Sequence, residues 1–143
     1  MRKITEIILH CTGTLPSRSV TVESIRRFHM RIRGWDDIGY HFLIDADGAI
    51  HVGRDIERAG AHCVGHNSNS IGIAYVGGLH FDAGTPMDTR TTPQRIALME
   101  VVLTMMQRYG LQISDIHCHN EFSSKACPCF TIESFRDELR AHM

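Results

Sequence analysis

Two histidines and a cysteine carry most of the chemistry available to this chain. His10 closes the apolar run from Ile7 to Leu9 near the start, and His119 and Cys127 lie in HCHNEFSSKACPC near the end, with Lys125 between them. Two imidazoles and a thiolate suit one Zn²⁺ ion. Three protein ligands leave the fourth tetrahedral position for water, which marks a catalytic rather than a structural zinc. His117 shares a face with His119 if that segment is extended, so either histidine is a candidate ligand. A cation such as Lys125 beside a metal thiolate stabilises negative charge developing on a substrate oxygen. Tyr40, at the start of a strand-like run, is either a packing residue with its hydroxyl at a rim or a proton donor or acceptor at the attacking water. A cysteine hydrolase built on Cys127 or Cys11 with a histidine is the rival chemistry, and insensitivity to chelators would distinguish it.

These residues must be positioned by the elements around them. Glu6 to His10 reads as a first strand, followed by a turn-rich loop. Thr21 reads as the N-cap of a helix carrying Val22, Ile25, Phe28 and Ile32 inward, with Arg26, Arg27, Arg31 and Arg33 as a solvated face. GYHFLIDADGAIHVGR reads as a hairpin turning at Asp47-Gly48. After the polar stretch AGAHCVGHNSNS, IGIAYVGG fits a buried strand. Pro93 is expected at the first position of a long helix after Thr92, with Ile96, Met99, Leu103 and Met106 inward and its end before Gly110. A short strand is expected around Ile116 to His119, and Thr131 caps a last helix through Ile132, Phe135 and Leu139. The Cys127-Pro128-Cys129 step is expected to be extended, because the residue before a proline avoids the α region. The fold class is therefore α/β (mixed α+β): a central mixed β-sheet flanked by about three helices, on both faces.

Composition bounds the rest. The 143 residues are most simply one domain, 43% apolar and 22% charged. A net charge of −1 supplies no global field to recruit nucleic acid or an anionic membrane. No apolar run is long enough to span a bilayer, and no signal peptide is expected from the start MRKITEIILH. Five cysteines without a secretion signal argue against a disulfide framework. Cys11, Cys63 and Cys118 read as small buried hydrophobes, and Met87, Met99, Met105 and Met106 as core filler.

Taken together, ILHCTGT, GWDDIGYHFLIDADGAIHVGR, GAHCVGHNSNSIGIAYVGG and HNEFSSKACP resemble the zinc-dependent N-acetylmuramoyl-L-alanine amidases of type 2. That family includes the amidase-type phage lysozymes and the peptidoglycan recognition proteins. The likeness runs from about Ile7 to Phe130. It implies a peptidoglycan-recognition-protein-like amidase fold and a single zinc amidase catalytic domain over residues 1–143. It implies one Zn²⁺ held by His10, His119 and Cys127, which disfavours His117. It also implies catalytic roles for Tyr40 and Lys125, and a substrate groove including His62, His66, Asn67 and Asn69. The implied reaction is hydrolysis of the amide between N-acetylmuramic acid and the L-alanine of the stem peptide in bacterial peptidoglycan. The implied setting is phage-type lysis: cytoplasmic synthesis, then action on the cell wall through a permeabilised membrane. A non-catalytic peptidoglycan-binding module and a cytoplasmic muropeptide-recycling amidase are the alternatives. A polymerase partner, as in some phage lysozymes, is implied only distantly. Cys118 and Cys129 depart from the family pattern and leave open a different ligand or a Cys127–Cys129 bridge.

Overall fold

The computed structural model describes residues 1–143 and builds one five-stranded sheet in the order β3-β2-β4-β1-β5. Its strands are β1 (Glu6–Cys11), β2 (Phe42–Ile44), β3 (Ile50–Val52), β4 (Ser70–Tyr75) and β5 (Ile116–Cys118). β1 lies between β4 and β5 and runs parallel to both; β2 runs parallel to β4, and only the edge strand β3 is antiparallel. Parallel neighbours need long crossovers. These carry two of the helices, α1 (Val22–Arg31) and α2 (Thr92–Tyr109), and α3 (Ile132–Ala141) ends the chain.

Alternation along β1 and β5 divides the sheet into two chemically different faces. Ile7, Leu9 and Cys11 of β1, with Ile116 and Cys118 of β5, point into a core of 21 buried residues shared with α2 and α3. The opposite face has a core of only five buried residues: Ile25 from α1, with Ile38, Leu43, Ala74 and Val76. Since successive strand residues face opposite ways, Glu6, Ile8, His10 and His117 fall on that second face. The rear core therefore supplies most of the apolar burial and frees the front for polar groups.

The helices cover both faces as expected, but two inward stripes differ from the periodicity reading. In α1 the buried residues are Ile25 and His29, while Phe28 and Ile32 are exposed. The His29 ring turns inward because its Nδ1 accepts the Gly39 N–H at 2.9 Å, and a buried polar group with a partner is stable there. In α2 the stripe runs through Gln94, Ala97, Leu98, Val101, Val102 and Met105, with Met99 and Met106 also buried, whereas Ile96 is exposed and Leu103 half-buried. That helix is apolar on several sides, so more than one stripe fitted its sequence. It begins at Thr92, one residue earlier than expected, because Thr91 and Gln94 form a reciprocal capping box and make Pro93 the second helical residue. It ends at Gly110, whose φ of 67° suits a residue without Cβ. Met87 is exposed rather than core filler. No helix is long and apolar enough to cross a membrane.

Candidate metal centre

The site forms at the carboxyl ends of β1 and β5, where ligands of open parallel sheets gather. Leu9 is in register with Cys118, so His10 and His119 follow side by side on the front face. Their ring centroids are 4.6 Å apart. After β5 the chain makes a short turn at His119–Glu121 and loops back beneath β1. Two contacts hold this return in place. Asn120 Nδ2 donates to Phe130 O at 3.0 Å, and the buried Tyr75 hydroxyl donates to Pro128 O at 2.7 Å. The return presents Cys127 to the end of β1. Its Sγ accepts the Cys11 N–H at 3.2 Å and stands 3.8 Å from His10 Nδ1.

The ligand atoms of His10, His119 and Cys127 all lie within 4.8 Å of one another. Donors at the usual zinc–sulfur and zinc–nitrogen lengths on a tetrahedral ion are about 3.6 Å apart, close to the observed Cys127–His10 separation. His119 Nδ1 is buried with no hydrogen-bond partner, the one such atom at this site. A buried polar atom without a partner is costly, and a metal would relieve it. Burial, then the nearby charges of His62 and His119, hold the His10 pKa well below the ordinary imidazole value. Burial and the Lys125 ammonium lower that of His119. Both rings are therefore neutral at neutral pH, the form that binds a metal. The donor set, the spacing and the orphaned nitrogen all fit a zinc ion.

Tyr40 precedes β2 rather than beginning it. Its ring lies 5.3 Å from that of His10 and its hydroxyl is 3.5 Å from Cys11 O. The backbone around it is pinned by the Arg54 N–H to Tyr40 O bond at 2.8 Å and by the Arg54 guanidinium to Ile38 O at 2.8 Å. Burial and the adjacent thiols of Cys127 and Cys11 push the phenol pKa upward, so Tyr40 keeps its proton and is a donor. Lys125 is exposed on the return loop.

Other expected residues are placed differently. His117 pairs with Glu121 and Glu6, at the far end of β1 from His10. His66 is also at that end, 2.7 Å from Glu6 Oε1 and stacked on Phe122. Asn67 Oδ1 accepts the N–H groups of His62 and Cys63, and Asn69 Nδ2 donates to Thr5 Oγ1. His62 is buried behind His10 rather than lying open on a groove wall. Gly72, inside β4, is the sequence signal for this packing: a Cβ there would come within 2.5 Å of the His62 ring, and a strand-interior glycine often marks such an approach. All five cysteines are free. Cys127-Pro128-Cys129 is a turn with a cis Cys127–Pro128 peptide rather than an extended step, closed by the Cys129 N–H to Ala126 O bond. That turn points Cys129 Sγ to within 4.0 Å of Cys11 Sγ. Cys11, Cys63 and Cys118 are buried, as their composition reading expected.

Comparison with known proteins gives a consistent picture. A family model described as N-acetylmuramoyl-L-alanine amidase matches residues 1–130. The endolysin of Escherichia phage T7 is 38% identical over 128 residues, covering 89% of this chain and 82% of that protein. Among solved structures, the N-acetylmuramoyl-L-alanine amidase LysC from Clostridium intestinale URNW superposes with a TM-score of 0.80 at 28% identity, covering 97% of this chain and 87% of that one. The bumblebee PGRP-SA structure gives a TM-score of 0.72 at 30% identity, covering 90% of this chain and 77% of that one.

Proposed function

This chain belongs to the N-acetylmuramoyl-L-alanine amidase family, and from that membership we propose that it hydrolyses the amide joining the lactyl group of N-acetylmuramic acid to the L-alanine of the stem peptide. It is an amidase, and its substrate class is peptidoglycan. The observation that carries the finer reading is the convergence of His10, His119 and Cys127 within 4.8 Å. These three would hold one Zn²⁺. A zinc ion bound there supplies a Lewis acid and lowers the pKa of a water molecule to about 7.

The protein's own groups do the rest. Burial keeps His10 and His119 neutral and their lone pairs available. Tyr40 retains its proton and donates a hydrogen bond to the carbonyl under attack or to the departing amine. Lys125, exposed beside the return loop, provides a cation for the oxyanion of the tetrahedral intermediate. His66, stacked on Phe122 at the other end of β1, is a candidate contact for a more distant part of the substrate, with Asn67 and Asn69 bracing the backbone around it. Residues 1–143 act as one catalytic domain in this reading. Its likeness to phage endolysins supports a lytic role on the wall once a membrane has been breached.

Mass spectrometry of products from purified peptidoglycan and from a soluble muropeptide tests the bond. New amino-terminal L-alanine with an intact lactyl group is expected; a cut within the glycan or between amino acids would refute it. Zinc content tests the centre: Cys127→Ser is expected to lose both zinc and turnover, and full retention of both would remove Cys127 from the ligand set.

A further inference from the structure

Behind His10 lies a second imidazole that the proposed reaction does not use. His62 is 8% exposed and meets His10 edge-on, with ring centroids 4.9 Å apart. Its Nδ1 is 2.8 Å from His10 Nε2, and its Nε2 is 3.1 Å from Ser70 Oγ, itself fully buried. Gly72 leaves just enough room for the ring, and Asn67 Oδ1 clamps the His62 backbone N–H at 2.9 Å. Neither the ring nor its backbone is left free to turn away.

The direction of these hydrogen bonds follows from the front of the site. His10 Nδ1 is the nitrogen that faces Cys127 Sγ. To bind a metal it must offer a lone pair, so the ring proton sits on Nε2. That proton is donated to His62 Nδ1. The His62 proton is then on Nε2 and is donated to Ser70 Oγ. Reversing the chain, with Ser70 donating to His62 and His62 donating to His10, would leave the His10 proton on Nδ1, pointing at the metal position and blocking it.

We infer that His62 is a positioning residue, supported by Ser70, that fixes the tautomer and ring plane in which His10 meets the metal. This rests on the zinc reading above. Partners that orient a ligand histidine commonly contribute 10–100-fold in metal affinity.

The test is zinc affinity of the full chain, measured by competition with a chromophoric chelator, for wild type, His62→Leu, His62→Gln and Ser70→Ala. Far-UV circular dichroism is the folding control. His62→Leu is expected to bind zinc about 10–100-fold more weakly. His62→Gln, whose amide oxygen can accept the His10 Nε2–H, is expected to restore most of that loss, and Ser70→Ala to weaken binding by less than His62→Leu. Long-range ¹H–¹⁵N spectra should find the His10 proton on Nε2 in the zinc-loaded wild type. At saturating zinc the His62 variants should regain turnover with KM unchanged. Should His62→Leu fail to fold, the His62→Gln and Ser70→Ala affinities and the wild-type tautomer decide. Wild-type affinity in His62→Leu, a proton on His10 Nδ1, or a raised KM with zinc affinity intact would overturn the inference. A wild-type chain that binds no zinc would overturn the metal reading as well.

Discussion

Lys125 and Tyr40 serve the proposed reaction in different ways, and substitution separates them. The Lys125 side chain makes no hydrogen bond to the three candidate ligand side chains, and its charge lowers the His119 pKa. Lys125→Ala is therefore expected to keep a full zinc complement while turnover falls about a hundredfold or more, the usual loss on deleting one oxyanion donor. Metal analysis beside a rate assay checks this, and loss of zinc in the variant would place Lys125 in the metal centre instead. Tyr40→Phe removes a donor whose pKa lies above its ordinary value. It should lower turnover, retain zinc, and leave the shape of the pH profile between 6 and 9 unchanged. A pH limb that vanishes in the variant would mean that the tyrosine titrates and acts as a base. Both residues stood out in the sequence as candidates, one through its neighbours in KACP and one through GYHF. His62 was legible as a residue but not in its place. An imidazole in a polar loop reads as exposed, and only the strand glycine that it packs against, 10 positions later, betrays its burial.

At the level of elements, α1 and the segment before β2 are joined by buried imidazoles. His29 packs against Trp35 and Tyr40 and accepts from Gly39; His41 Nδ1 accepts from the Gly72 N–H at 3.0 Å and its Nε2 meets Arg58 O at 2.8 Å. Burial lowers the pKa of each to about 4. In the unfolded chain each would titrate near 6.5. Between these values the unfolded state binds more protons, so stability falls as the pH drops from about 7 towards 4, by about 1.4 kcal/mol per pH unit for each histidine. Urea denaturation of metal-free protein at pH 7.5 and pH 5 should show a lower midpoint at pH 5 with an unchanged slope. An equal midpoint would mean that these rings are protonated in the fold. Element type and order were readable from turn residues, caps and apolar runs: Thr21, Thr131, Gly110 and the Asp47-Gly48 turn each mark a boundary that the structure keeps. The inward stripes of α1 and α2 were not, because His29 takes a core position through a hydrogen bond made by a residue 10 positions away. Apolar periodicity carries no record of such a partner.

Across the whole molecule, the candidate metal position links the first strand to the loop before α3. A ligand that binds only the folded chain stabilises it by mass action, by about 2.7 kcal/mol at 100 times its dissociation constant. For a domain of this size that corresponds to a rise of roughly 5–10 °C in Tm. Calorimetry with and without zinc should show the rise, and an excess of chelator should abolish it together with activity. Activity that survives complete metal removal would instead favour a thiol nucleophile.

Cys127 and His10 touch across a sequence separation of 117 residues. At the ribosome, therefore, His10 is made 117 residues before Cys127. Until β5 and the loop after it emerge, the proposed ligand set is incomplete. In the zinc reading, a fragment that stops short of Cys127 lacks a ligand, and it is expected to release nothing from peptidoglycan.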